Sequence, residues 1–116
     1  MKSQLINLTN RVVSILCEDG KLLELQPQNT AKLKNKDKRL TPIETEYNDC
    51  IYKVRVVQSI EQKVLDLPDE KEGVYYIVNR SIAEVLKNKR NDLYICGNFT
   101  KDFESKIEYY TSLRKL

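Results

Sequence analysis

The sequence predicts an α+β protein: a small, mainly antiparallel or mixed β-sheet with one short α-helix at about residues 80–90. Three observations carry that expectation. Short β-branched and aromatic runs recur at 12–17, 51–57 and 74–78. Gly, Pro and Asp punctuate the intervals between them. Only one stretch, which begins at Asn79, spaces its apolar residues for a helix. A length of 116 residues fits a single domain spanning 1–116.

Residues 5–9 read as extended, and 12–17 as a strand buried on both faces. Glu18-Asp19-Gly20-Lys21 is a turn with Gly20 placed for a positive φ, and 22–25 returns the chain as a hairpin that Pro27 closes. Thr30-Ala31-Lys32-Leu33 alternates briefly and reads as a short strand, with the basic run through Arg39 following as a loop. The alternation over 51–57 is cleaner. Tyr52, Val54 and Val56 share one face while Ile51, Lys53 and Arg55 share the other, as in a sheet strand with one solvated side. Residues 65–73 form a polar connection marked by Pro68 and Gly73.

Val74-Tyr75-Tyr76-Ile77-Val78 is apolar on both faces and reads as a central strand that runs straight into the helix. There Ser81 and Glu84 have capping-box spacing, and Ile82, Val85 and Leu86 form the buried flank. The lysines and Arg90 fall in the last turn, where cations suit the helix dipole. Residues 93–96 and 106–110 are the remaining strands.

Composition removes several chemistries. No His is present, so Ser-His-Asp and Cys-His machinery is absent. Cys17, Cys50 and Cys96 form no C-x-x-C pair, which argues against zinc and for reduced, mostly buried thiols in a cytosol. Neither a P-loop nor a G-x-G-x-x-G turn occurs. No apolar run is long enough to span a membrane, and the first residues lack a signal-peptide core; both point to a cytoplasmic protein. Carboxylate pairs such as Glu44 with Glu46 have no supporting context, so an enzyme is the least favoured class and no cofactor is expected. A net charge of +3 does not mark a nucleic-acid binder. Lys32, Lys34, Lys36, Lys38 and Arg39 are either a solvated loop or a phosphate-facing patch without interleaved aromatics.

The candidate ligand corner is the strand-to-helix junction at Asn79, Arg80 and Ser81, where amides, a guanidinium and a hydroxyl suit an anion. Ser81 as an N-cap and Arg80 paired with Glu84 are the structural alternatives. Arg90 and Asp92 are either a surface ion pair or a fixed guanidinium over a pocket. Among the strand tyrosines, Tyr76 is a candidate to stack on a ring if it lies beside Arg80; core packing is the other reading.

Leu5-Ile6-Asn7-Leu8-Thr9, Leu67-Pro68, Tyr76-Ile77-Val78-Asn79-Arg80 and Arg90-x-Asp92-Leu93 occur in this order across most of the chain. Together they resemble a family of small proteins encoded by phages and prophages, with I-N-L-T, L-P, Y-I-V-S and R-x-D segments. The chain departs from that pattern where Asn10-Arg11 replaces Pro-His, Asn79 replaces Ser, and Cys96 stands where Pro is common. The resemblance implies a phage origin, and Asn7 and Thr9 join the candidate ligand residues through it. Phage proteins of this size include sponges that enclose nucleotide immune signals without cleaving them, a likeness of size, origin and missing catalytic groups.

The expected function is therefore a non-catalytic, homo-oligomeric protein that sequesters a phosphorylated or nucleotide-derived signalling molecule as an anti-defence sponge. The alternatives are a protein–protein inhibitor or adaptor of a host enzyme, and a nucleic-acid-binding accessory factor that uses residues 32–39.

Overall fold

Short runs of alternating apolar residues from both ends of the chain assemble into one mixed sheet. The computed structural model describes residues 3–116. Its strands are β1 (Gln4–Asn7), β2 (Val13–Leu16), β3 (Leu22–Leu25), β4 (Lys32–Arg39), β5 (Ile43–Tyr47), β6 (Cys50–Val54), β7 (Val57–Leu65), β8 (Val74–Ile77), β9 (Leu93–Lys101) and β10 (Glu108–Arg114). One helix, α1 (Arg80–Val85), separates β8 from β9. The α+β class and the mixed, sheet-dominated architecture hold. Two compact units are present: residues up to 32 together with 64–116, and residues 33–63.

The first unit holds a six-stranded sheet in the order β1-β8-β9-β10-β2-β3. β1, β8 and β9 run parallel, β9 and β10 antiparallel, β10 and β2 parallel, and β2 and β3 antiparallel. The sheet curls until its two outer strands meet. Asn7 at the end of β1 bridges to Pro27 just beyond β3, and its carbonyl accepts from the Gln28 N–H at 2.8 Å. Joining the edges in this way removes the unpaired backbone groups that an open sheet exposes. Val13, Ile15 and Ile77 centre the core, with Leu5, Leu25, Cys96, Tyr110 and Leu113 packed around them. Ile82 and Ala83 are the residues that α1 buries. Gly20 turns the β2–β3 hairpin at φ 86°. Gly97 lies opposite Ser112, where a Cβ would come within 2.6 Å of the hydroxyl, so the close β9–β10 contact needs its missing side chain.

Several sequence expectations need correction. The strand at 12–17 is half-buried in alternation instead of covered on both faces. The helix ends at Val85 and does not reach 90, because Leu86 leaves helical geometry at φ −105°, ψ 11°. Lys87, Lys89 and Arg90 therefore lie beyond the helix, and the dipole has no basic last turn to act on. Asn79, not Ser81, is the N-cap residue and makes no side-chain cap bond, so the Ser81–Glu84 capping box does not form.

The second unit is a pair of ribbons. β4 pairs with β7, and β5 pairs with β6 in an antiparallel hairpin. The basic run is thus a strand, not a loop. Asn48 and Asp49 turn the hairpin, both at positive φ (51° and 62°), as a tight two-residue connection requires. Tyr52 and Val54 do share a face, but that face is exposed instead of covering a core.

Candidate functional site

Because β1 and β8 are adjacent and parallel, the chain leaves both at the same edge of the sheet. Residues 8–12 and 78–80 therefore converge there, outside the carboxyl ends of parallel strands, where open α/β sheets place their ligands. A groove of about 430 Å³ lies between the two segments. Its walls include Thr9, Asn10 and Arg11 from the first segment and Val78, Asn79 and Arg80 from the second. Val12, Val13, Ile95, Cys96 and Tyr110 complete the lining. Two guanidinium-bearing residues thus flank a groove of mixed polar and apolar lining with one phenol ring in its wall.

Arg80 Nε donates to Glu84 Oε1 at 3.0 Å, in an i,i+4 pair with both side chains more than half exposed. Such an exposed pair is worth under about 1 kcal/mol, whereas a charge-assisted bond to a bound anion is worth about 1.5–3 kcal/mol. The pair therefore does not prevent Arg80 from turning to a phosphate. Arg11 has no carboxylate within salt-bridge distance among the described residues.

Of the sequence-predicted site residues, Asn79, Arg80 and Thr9 reach the groove; the others do not. Asn7 is 1% exposed, and its side chain is wholly engaged inside the protein. Its Nδ2 donates to the carbonyls of Arg11 (2.7 Å) and Leu25 (3.0 Å), and its Oδ1 accepts from the N–H (2.9 Å) and hydroxyl (2.6 Å) of Thr9. Thr9 likewise directs its hydroxyl at Asn7 and at the Arg11 carbonyl (3.1 Å). Asn7 is thus a positioning residue that shapes the 8–12 segment. Tyr76 is 2% exposed and belongs to the core. Ser81 is an exposed residue of the helix's first turn and is outside the groove.

Arg90 and Asp92 are outside the groove as well. They form a two-pronged pair, Nε to Oδ1 at 2.9 Å and Nη2 to Oδ2 at 2.7 Å, and Nη2 also donates to the Pro68 carbonyl at 2.9 Å. The Asp92 hydrogen bond, with Coulomb attraction to Asp92 and Glu70, raises the Arg90 pKa above its ordinary value against the opposing effect of burial. The guanidinium is fastened to the 68–70 connection and is not poised over a cavity. Sequence reasoning missed Arg11 as a groove residue. The available signal was its place two residues after the Ile6-Asn7-Leu8-Thr9 segment.

A broader hollow of about 700 Å³ is lined by Asn29, Thr30, Lys32, Asp66, Leu67 and Pro68. It pairs one cation with one carboxylate and has no aromatic wall, which suits an anion less well. Among the described residues no cluster of Cys, Asp and Glu gathers to hold a metal, and no helix is long and apolar enough to cross a membrane. No family model, curated protein or solved structure matches this chain.

The thiols differ in access. Cys50 is exposed, contrary to the expectation of mostly buried cysteines, while Cys17 and Cys96 are half-buried. Burial also pushes the Cys96 thiol pKa up, which lowers its thiolate fraction. Titration of the native protein with an aromatic disulfide reagent should show one fast thiol, removed by Cys50→Ser, and two slow ones.

Proposed function

We propose that this chain is a non-catalytic binding protein that sequesters a phosphorylated or nucleotide-derived small molecule in the groove between residues 8–12 and 78–80. The observation that carries the reading is the placement of Arg11 and Arg80 together at the carboxyl ends of two parallel strands, around a groove whose wall includes Val12, Val13, Ile95 and Tyr110. The guanidinium groups serve the phosphate, and the apolar wall with its phenol serves a base or sugar edge. Sequestration in the cytoplasm of a host cell, with subunits assembled as a homo-oligomer, fits the phage-like sequence pattern and its anti-defence implication.

Calorimetric titration with a cyclic dinucleotide, ADP-ribose and AMP tests the reading. At least one should bind, and Arg11→Ala or Arg80→Ala should each weaken it about 10-fold or more, as the loss of a charge-assisted contact requires. Glu84→Gln should strengthen binding, because it releases Arg80 and removes a nearby negative charge. Cys96 in the groove wall provides a second readout, since bound ligand should slow its modification further. Absence of heat with all three compounds from folded protein would overturn the proposal.

A further inference from the structure

The ribbon unit carries chemistry that the groove does not use. Alternate residues of a strand share a face, so Lys34, Lys36 and Lys38 of β4 point the same way, and Asp37, the only acid on that strand, points the opposite way. All three lysines are exposed, and none lies within 4 Å of a carboxylate among the described residues; on β7, Glu61 and Lys63 line the same hollow as Lys34 and Lys36. They recur about every 6.7 Å, close to twice the roughly 3.4 Å axial step of a nucleic-acid strand.

The hairpin beyond them is two-faced. Ile43 lies opposite Val54, Thr45 opposite Tyr52 and Tyr47 opposite Cys50, so these six share one face. Glu44 opposite Lys53 and Glu46 opposite Ile51 take the other. Tyr47 and Tyr52 are 68% and 49% exposed, so their rings are open to a partner. The Leu40 N–H donates to the Val56 carbonyl at 2.9 Å, which continues the pairing between the two ribbons. The lysine row and the open rings thus belong to one ribbon unit, residues 33–63.

From this arrangement we infer that the ribbon is a docking surface for single-stranded nucleic acid, with the backbone along Lys34, Lys36 and Lys38 and bases stacked on Tyr47 and Tyr52. A row of cations beside open aromatic rings is the combination by which proteins hold single strands. An acidic protein would satisfy the lysines but leaves the two exposed rings unexplained. The inference stands independently of the groove.

Fluorescence anisotropy with a labelled 20-nucleotide oligothymidine tests it. Binding should weaken about 15- to 20-fold between 50 and 200 mM salt, as three neutralised phosphates predict. The triple variant Lys34→Gln, Lys36→Gln, Lys38→Gln should lose most of that dependence, and the corresponding triple Arg variant should restore it. Tyr47→Ala with Tyr52→Ala should weaken binding at least 10-fold and leave the salt slope unchanged. An unlabelled duplex of equal length should compete poorly, and Arg11→Ala should have no effect. All substituted positions are exposed, and circular dichroism checks that each variant folds. Unchanged affinity and slope in the triple Gln variant would overturn the inference, as would unchanged affinity in the tyrosine variant. So would a concentration-dependent dimer that the tyrosine variant abolishes, which would assign the face to a second copy.

Discussion

Replacing Arg90 with Ala is expected to cost about 3–5 kcal/mol, the range for breaking a buried ion pair from one side, and to lower the melting temperature by more than about 10 °C. The Arg90 side chain is 16% exposed and that of Asp92 9%, so neither group can recover full hydration when its partner is removed. Without the guanidinium, the Asp92 carboxylate loses both prongs of its pair, and the Pro68 carbonyl loses a donor. Asp92→Ala should cost less, because Arg90 keeps Pro68 and also Glu70, whose Oε1 lies 3.2 Å from Nε. Arg90→Lys should fall between wild type and Arg90→Ala, since a point charge cannot reproduce the planar fork. The pair also has a signature in pH. A cation whose pKa is raised on folding contributes below its unfolded pKa and stops contributing only above its folded one. The folded pKa of Arg90 is raised above an already strongly basic ordinary value, so raising the pH from neutral to 10 should not release this contribution. Thermal denaturation of the three variants checks the order, and an Arg90→Ala melting temperature within about 2 °C of wild type would refute it.

The same pair shows where sequence reading succeeds and where it stops. Arg90 and Asp92 stand out because both charges are two residues apart before a strand, and one of the two weighed readings, an ion pair, is what forms. Its burial was not legible, because the third partner is a backbone carbonyl at Pro68, 22 residues away. The β2–β3 hairpin was readable from its β-branched run and Gly20, and β8 from five consecutive apolar residues. β4 was not. Its sequence Lys-Leu-Lys-Asn-Lys-Asp-Lys-Arg has no apolar face, and it is a strand through backbone pairing with β7 alone. The lysines then changed meaning: as a loop they would have been scattered charges, but as a strand three of them form a row. The helix was read too long because Ile82, Val85 and Leu86 keep helical spacing up to the residue where the backbone turns away.

The groove depends on a residue that was chosen for a different reason. Asn7 entered as a ligand contact through its place in the I-N-L-T segment, yet it is the point where the sheet's two outer strands are joined. Its carboxamide uses both donor hydrogens and receives two bonds at Oδ1, across a span from Thr9 to Leu25. Asn7→Ala should remove all four bonds and leave the Leu25 carbonyl and the Thr9 N–H short of partners in a site 1% exposed, while the Arg11 carbonyl keeps only the Thr9 hydroxyl. Unsatisfied buried groups cost about 1–3 kcal/mol each before relaxation, so a total loss of about 3–5 kcal/mol is expected. Asn7→Asp separates geometry from size. The carboxylate keeps the shape and the acceptor, but it cannot donate to the Arg11 and Leu25 carbonyls, and it places a charge in a site 1% exposed. It should therefore be as damaging as Ala, or more so. Because the Nδ2 bond to the Arg11 carbonyl fixes the backbone beside the groove, any folded Asn7 variant should also bind an anionic ligand more weakly than Thr30→Ala. That control loses only a single 3.3 Å bond to the Thr9 carbonyl. An Asn7→Asp protein with wild-type melting and unchanged ligand affinity would show that the strand junction holds the fold and the groove by other contacts.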